Sequence, residues 1–186
     1  MTVSVTRHYA NFPNRLLQLA IIALACVALH GRYAHAEGLQ SMDLRYMYGY
    51  KDKFDETDLY VATLNFPPPK FLGIDRQELA FGAFDSPDDT TAFVSFGPVW
   101  HLPFGDSAIF VDLGFSPTLL SKSKIQDEPV GGKFHFTSSV SLGAKFGEND
   151  SMSLALRVQH TSNGSIDTPN PGIDMLGVSF NIDLSD

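Results

Sequence analysis

The chain has 186 residues, enough for one domain, with 21 acidic against 13 basic residues and a net charge of −8. That balance argues against a nucleic-acid-binding protein, which would carry a basic stripe. A single cysteine, Cys26, leaves no room for a disulfide framework or a thiolate metal site.

The first 36 residues read as an export signal. Arg7 and Arg15 supply a positive start, Leu16 to Leu29 an apolar run of 14 residues, and Ala34-His35-Ala36 a small-x-small cleavage site. The run falls short of the about 20 apolar residues of a spanning helix, which weighs against an uncleaved anchor. Ala23-Leu24-Ala25 before Cys26 is a poor lipobox, which weighs against a lipoprotein. Residues 1–36 are therefore expected to be a signal peptide, and residues 37–186 one domain. Cleavage would remove Cys26 together with Arg7, Arg15 and Arg32, leaving ten basic against 21 acidic residues, or −11. No cysteine nucleophile would remain.

Beyond residue 37 the apolar residues alternate rather than recur at helical spacing. Met42, Leu44, Tyr46, Tyr48 and Tyr50 share one parity, with Ser41, Asp43 and Arg45 between them. Ile109, Val111, Leu113 and Phe115 alternate with Asp112, Gly114 and Ser116. Phe134, Phe136, Val140, Leu142, Ala144 and Phe146 alternate with Lys133, His135, Thr137, Ser139, Ser141 and Lys145. Met152, Leu154, Leu156 and Val158 alternate with Ser153, Arg157 and Gln159, and Leu176, Val178, Phe180, Ile182 and Leu184 with Gly177, Ser179, Asn181 and Asp183. Period two of this kind marks strands with one apolar and one polar face. Eight strands are predicted, over residues 39–50, 57–66, 76–85, 91–101, 108–119, 133–146, 151–162 and 173–184, separated by turn signals such as Pro67-Pro68-Pro69 and Ser86-Pro87-Asp88-Asp89.

A soluble barrel would turn its apolar face inward; an outer-membrane barrel turns it to lipid. Export favours the second, as do the aromatic residues near strand ends (Tyr46 to Tyr50, Phe93, Phe96, Trp100) and the charges Arg45, Lys133, Lys145 and Arg157 on the polar parity. The missing aromatic at the C-terminus, Leu184-Ser185-Asp186, runs against it. The fold expected is an eight-stranded antiparallel transmembrane β-barrel in the outer membrane. Such a barrel starts and ends in the periplasm, so residues 163–172 form an extracellular loop.

His160, Ser162 and Asp174 stand out chemically. His160 and Ser162 continue the apolar parity of Leu154, Leu156 and Val158, and Asp174 continues that of Leu176 and Val178. All three would project from the lipid-facing wall near the ends of two strands about 5 Å apart. Unpaired polar groups there are costly; as nucleophile, base and orienting acid they satisfy one another. Asn163 and Gly164, through backbone N–H groups or the Asn163 side chain, are candidate oxyanion donors, with Asn170 the alternative. Each also has a plainer reading, a chance His-x-Ser, ordinary turn residues and a loop-capping acid. The Asp85 to Asp89 run lacks calcium-loop spacing, His101 and His135 have no companion motif, and Lys122 and Lys124 read as solvated loop residues.

The segment His160-Thr161-Ser162-Asn163, the Gly/Pro/Asn loop after it and the acid 14 positions beyond the histidine resemble the PagL-type lipid A 3-O-deacylases over residues 156–182. The resemblance implies a single eight-stranded barrel with its site on the outer wall, and a carboxylester hydrolase that releases the 3-O-linked hydroxyacyl chain of lipid A. It implies no metal and no organic cofactor, a lipopolysaccharide substrate at the outer leaflet, and leaves a homodimer open. The family's acid is commonly Glu; here it is Asp174, one methylene shorter. A non-catalytic anchoring or binding barrel and an outer-membrane phospholipase are the alternatives.

Overall fold

The computed structural model describes residues 38–68, 73–87 and 89–184. The expected signal peptide lies outside them. Among the described residues the strands are β1 (Ser41–Gly49), β2 (Asp58–Phe66), β3 (Arg76–Asp85), β4 (Thr90–Pro103), β5 (Ile109–Leu120), β6 (Lys124–Ile125), β7 (Glu128–Pro129), β8 (Phe134–Phe146), β9 (Met152–Ser162) and β10 (Ile173–Asp183). All but β6 and β7 form one closed antiparallel barrel in which each strand pairs with the next, β5 pairs with β8, and β10 returns to β1. The closing ladder runs from Ser41 opposite Asp183 to Gly49 opposite Met175. Closure removes the free edges that an open sheet would expose.

The eight predicted strands match the barrel strands, with ends that shift by one or two residues. The β6–β7 hairpin was not predicted. Its two-residue turn, Gln126-Asp127, has positive φ at both positions (51° and 60°), the backbone of a type I′ turn. The Asn-Gly signal usual for that turn is absent, and two-residue strands are too short to show alternation.

The apolar parity faces outward. Leu142, Leu154, Leu156 and Val140 are among the most exposed large side chains, while Asp43, Arg45, Glu78, Asp112 and Arg157 are buried in the lumen. A water-soluble protein of this inside-out kind would be untenable; in lipid the same surface is solvated. Phe93 departs from the expectation for aromatics near strand ends: it is 8% exposed and points inward, because it shares the parity of Thr91 and Ser95.

The lumen has two halves. Toward the end carrying the longer connections it is apolar, filled by Met47, Leu59, Phe84, Phe93, Leu120, Ile173 and Met175 together with Phe54, Ile125 and Val130 from the connections themselves. Toward the opposite end it is ionic. Arg45 reaches both carboxylate oxygens of Glu78 and, at 2.9 Å, Asp43. Asp43 also accepts hydrogen bonds from Thr63 (2.8 Å) and Asn65 (3.2 Å). Arg76 donates to Asp112 at 2.6 Å, and Arg157 donates to Ser139 at 2.7 Å and Ser141 at 3.2 Å. A cavity of about 270 Å³ opens below this network. His101, which showed no companion in the sequence, lies opposite Asp112 in the β4–β5 register and meets it at 2.7 Å through Nδ1.

Candidate active site

β9 and β10 are joined by residues 163–172, and their register places His160 directly opposite Asp174. Alternation along both strands turns the two side chains to the outer wall, in line with Leu156 and Val158 on one strand and Leu176 and Val178 on the other. His160 Nδ1 lies 2.8 Å from Asp174 Oδ1. An ionised carboxylate only accepts, so Nδ1 carries the proton of this hydrogen bond and Nε2 is left as the basic nitrogen of the neutral ring. The second oxygen, Oδ2, accepts from Lys51 Nζ, also at 2.8 Å.

Ser162 lies two residues beyond His160 on the same face and is half-buried. Its partner on β8 is Phe136, which stacks on Phe115 at 5.7 Å and meets Phe134 edge-on at 5.1 Å. Among the described residues no hydrogen bond joins Ser162 to His160; residues i and i+2 on a strand stand about 7 Å apart at Cα, and such contacts commonly tighten only when substrate is bound. Gly172 closes the other side. Its φ is +67°, and a Cβ there would come within 2.7 Å of His160 Cε1, so a larger residue here would be strained and would press on the edge of the imidazole.

Asn163 occupies a different place from the one expected of an oxyanion donor. It is 1% exposed. Its Nδ2 donates to the carbonyls of Gly131 (2.9 Å), Asp167 (2.9 Å) and Val130 (3.2 Å), and its Oδ1 accepts from the Ser165 N–H at 2.8 Å. Its own N–H donates to Asn170 Oδ1 at 3.1 Å, and Asn170 Nδ2 reaches Ser165 Oγ at 3.4 Å. Asn163 is thus the hub that ties the β9–β10 loop to the β5–β8 connection, and Asn170 is a staple within the loop. Alternation continued one residue past Ser162 already turns Asn163 inward. Gly164 remains at the outer wall: its φ is +61°, and a Cβ there would face the Phe136 ring at 3.4 Å.

Lys51 was not found by sequence reasoning. It precedes Asp174 by 123 residues, and only closure of the barrel through β1 and β10 brings the two together. Lys122 and Lys124, read as solvated, are tied to carboxylates: Lys122 to Asp89, and Lys124 to Asp127 at 2.6 Å. The hydrogen bond from Lys122 holds the Asp89 carboxyl below its ordinary pKa, and the one that Lys124 donates to Asp127 holds the Lys124 ammonium above its own. Among the described residues, no three His, Cys, Asp or Glu side chains are grouped to hold a metal.

Fold and site define a class: an outer-membrane β-barrel with a His–carboxylate pair and a serine on its lipid-facing wall, beside the loops of one rim. Within that class, the chain belongs to the lipid A 3-O-deacylase (PagL) family, whose model matches residues 39–183. It is similar to the lipid A deacylase PagL of Pseudomonas aeruginosa, 27% identical over 93 residues, which are 49% of this chain and 53% of that one. It is also similar to the lipid A deacylase PagL of Bordetella bronchiseptica, 31% identical over 71 residues, 38% and 39% of the two chains. The chain thus spans about half, or less, of the length of these curated relatives. Among solved structures it resembles the outer membrane enzyme PagL, with a TM-score of 0.60 at 19% identity over 75% of this chain and 98% of that one. Neisserial surface protein A shares the fold at a TM-score of 0.50 and 9% identity, over 78% and 96%. The odd-to-even connections, including residues 163–172, accordingly face the outside of the cell.

Proposed function

We propose that this chain is a lipid A 3-O-deacylase, a serine-type carboxylester hydrolase that releases the 3-O-linked hydroxyacyl chain of lipid A in lipopolysaccharide. The observation that carries the reading is the hydrogen-bonded His160–Asp174 pair, with Ser162 beside it, on the wall that faces lipid at the outer rim. A polar group on that wall costs desolvation energy that a packing role would not offset.

In the proposed reaction Ser162 Oγ attacks the ester carbonyl carbon while His160 Nε2 takes the hydroxyl proton. Asp174 stabilises the imidazolium through Nδ1–H. The tetrahedral oxyanion is met by the Gly164 N–H, the donor of the Asn163-Gly164 turn that stands at the outer wall. Collapse of the intermediate breaks the carbonyl–oxygen bond of the ester, and His160 returns the proton to the departing sugar hydroxyl. Water, deprotonated by His160, then hydrolyses the acyl-serine to free fatty acid and restores Ser162. All three residues belong to one chain, so the proposed chemistry does not need a homodimer.

The test is release of fatty acid by the refolded protein from mixed micelles of lipid A and, separately, of phospholipid. Release from lipid A alone, lost in Ser162→Ala, is the expected result. Release from phospholipid alone would make the chain a phospholipase, and equal inactivity of both proteins on both substrates would make it a non-catalytic barrel.

A further inference from the structure

We infer that Lys51 is a positioning residue for the hydrolysis, fixing the Asp174 carboxylate so that it can hold His160 in its Nδ1–H tautomer; this rests on the roles proposed for His160, Ser162 and Asp174. The two carboxylate oxygens are divided between two partners. Oδ1 takes the His160 ring and Oδ2 takes Lys51 Nζ, each at 2.8 Å. A lone His contact would leave the carboxylate free to rotate about its Cβ–Cγ bond, which is a soft torsion. The ammonium on the other oxygen removes that freedom.

The loop that presents Lys51 is itself fastened. The Tyr50 N–H donates to the Asp174 carbonyl at 3.4 Å, the Gly49 N–H to the Thr57 carbonyl at 2.9 Å, and the Phe54 N–H to the Lys51 carbonyl at 3.2 Å. Phe54, three residues on, is 3% exposed within the apolar plug of the lumen. Lys51 is therefore delivered to Asp174 from a rigid support.

Stability does not account for the pair. The Lys51 side chain is 58% exposed, and ion pairs of such exposure contribute little. The shorter acid gives orientation more weight: an aspartate on the strand opposite the histidine reaches the ring with one oxygen and depends on a third group to hold its plane.

Two readouts on the refolded full chain test this. The first is the kinetics of lipid A hydrolysis by the native protein, Lys51→Met and Lys51→Arg. The expected result is a kcat lowered about tenfold or more in Lys51→Met with KM within about twofold, and most of kcat restored in Lys51→Arg. A rise in KM at unchanged kcat would make Lys51 a substrate-binding residue and overturn the inference, as would native kinetics in Lys51→Met. The second is the ¹⁵N NMR signature of the His160 ring in micelles, assigned by its loss in His160→Gln. A single Nδ1–H tautomer in the native protein and a mixture in Lys51→Met supports the positioning role even if no hydrolysis is detected, which would then be a failure of the hydrolase reading alone. An unchanged tautomer overturns the inference.

Discussion

His160 is exposed on the outer wall, yet Asp174 holds its Nδ1 and Gly172 lies against its Cε1 edge. That arrangement orients the ring with Nε2 as the acceptor that the proposed role as base requires. A general base works only in its unprotonated form, so hydrolysis should rise from acid toward alkaline pH and then level off. Initial rates across buffers of matched ionic strength check this; a profile flat from about pH 5 to about pH 9 would contradict His160 as the base.

At the scale of elements, the site depends on a loop held by one buried amide. Asn163→Ala would leave the Val130, Gly131 and Asp167 carbonyls and the Ser165 N–H without this partner. Each unsatisfied buried group costs about 1–3 kcal/mol, so the variant should lose activity and unfold at lower denaturant concentration, whereas Ser162→Ala should lose activity alone. Urea titrations of both variants in detergent separate the two effects. Much of this hairpin was legible in the sequence. Alternation through Leu154, Leu156 and Val158 carried on to His160 and Ser162, and a short loop brought Asp174 back opposite His160. Lys51 was not legible, because its contact is made across the seam between the first and last strands, and no local pattern records it. Asn163 stands next to Ser162 in sequence, but its inward parity, which decides what its side chain touches, turns that side chain to the loop interior.

The whole molecule is an inverted protein, with an apolar wall, an ionic lower lumen and an apolar plug beneath the outer loops. The ionic half was foreshadowed by Arg45 and Arg157 on the polar parity. The plug was not, since Met47, Phe84 and Phe93 break the simple rule that the inner face is polar. If the wall faces lipid, Leu156→Arg, at 63% exposure, should cost about 2–4 kcal/mol for folding into bilayers. Equilibrium folding into vesicles measures this; a neutral outcome would place Leu156 outside the hydrocarbon. Such a wall gives a membrane-embedded ester direct access to Ser162 and His160 without entry into the barrel. The central claim, that this outer-wall site removes one acyl chain from lipid A, is tested most directly by mass spectrometry of lipid A after incubation with the refolded protein and with Ser162→Ala. Loss of a single 3-O-linked hydroxyacyl chain with the native protein, and intact lipid A with the variant, is the expected result. Intact lipid A with both, or the same loss with both, would contradict it.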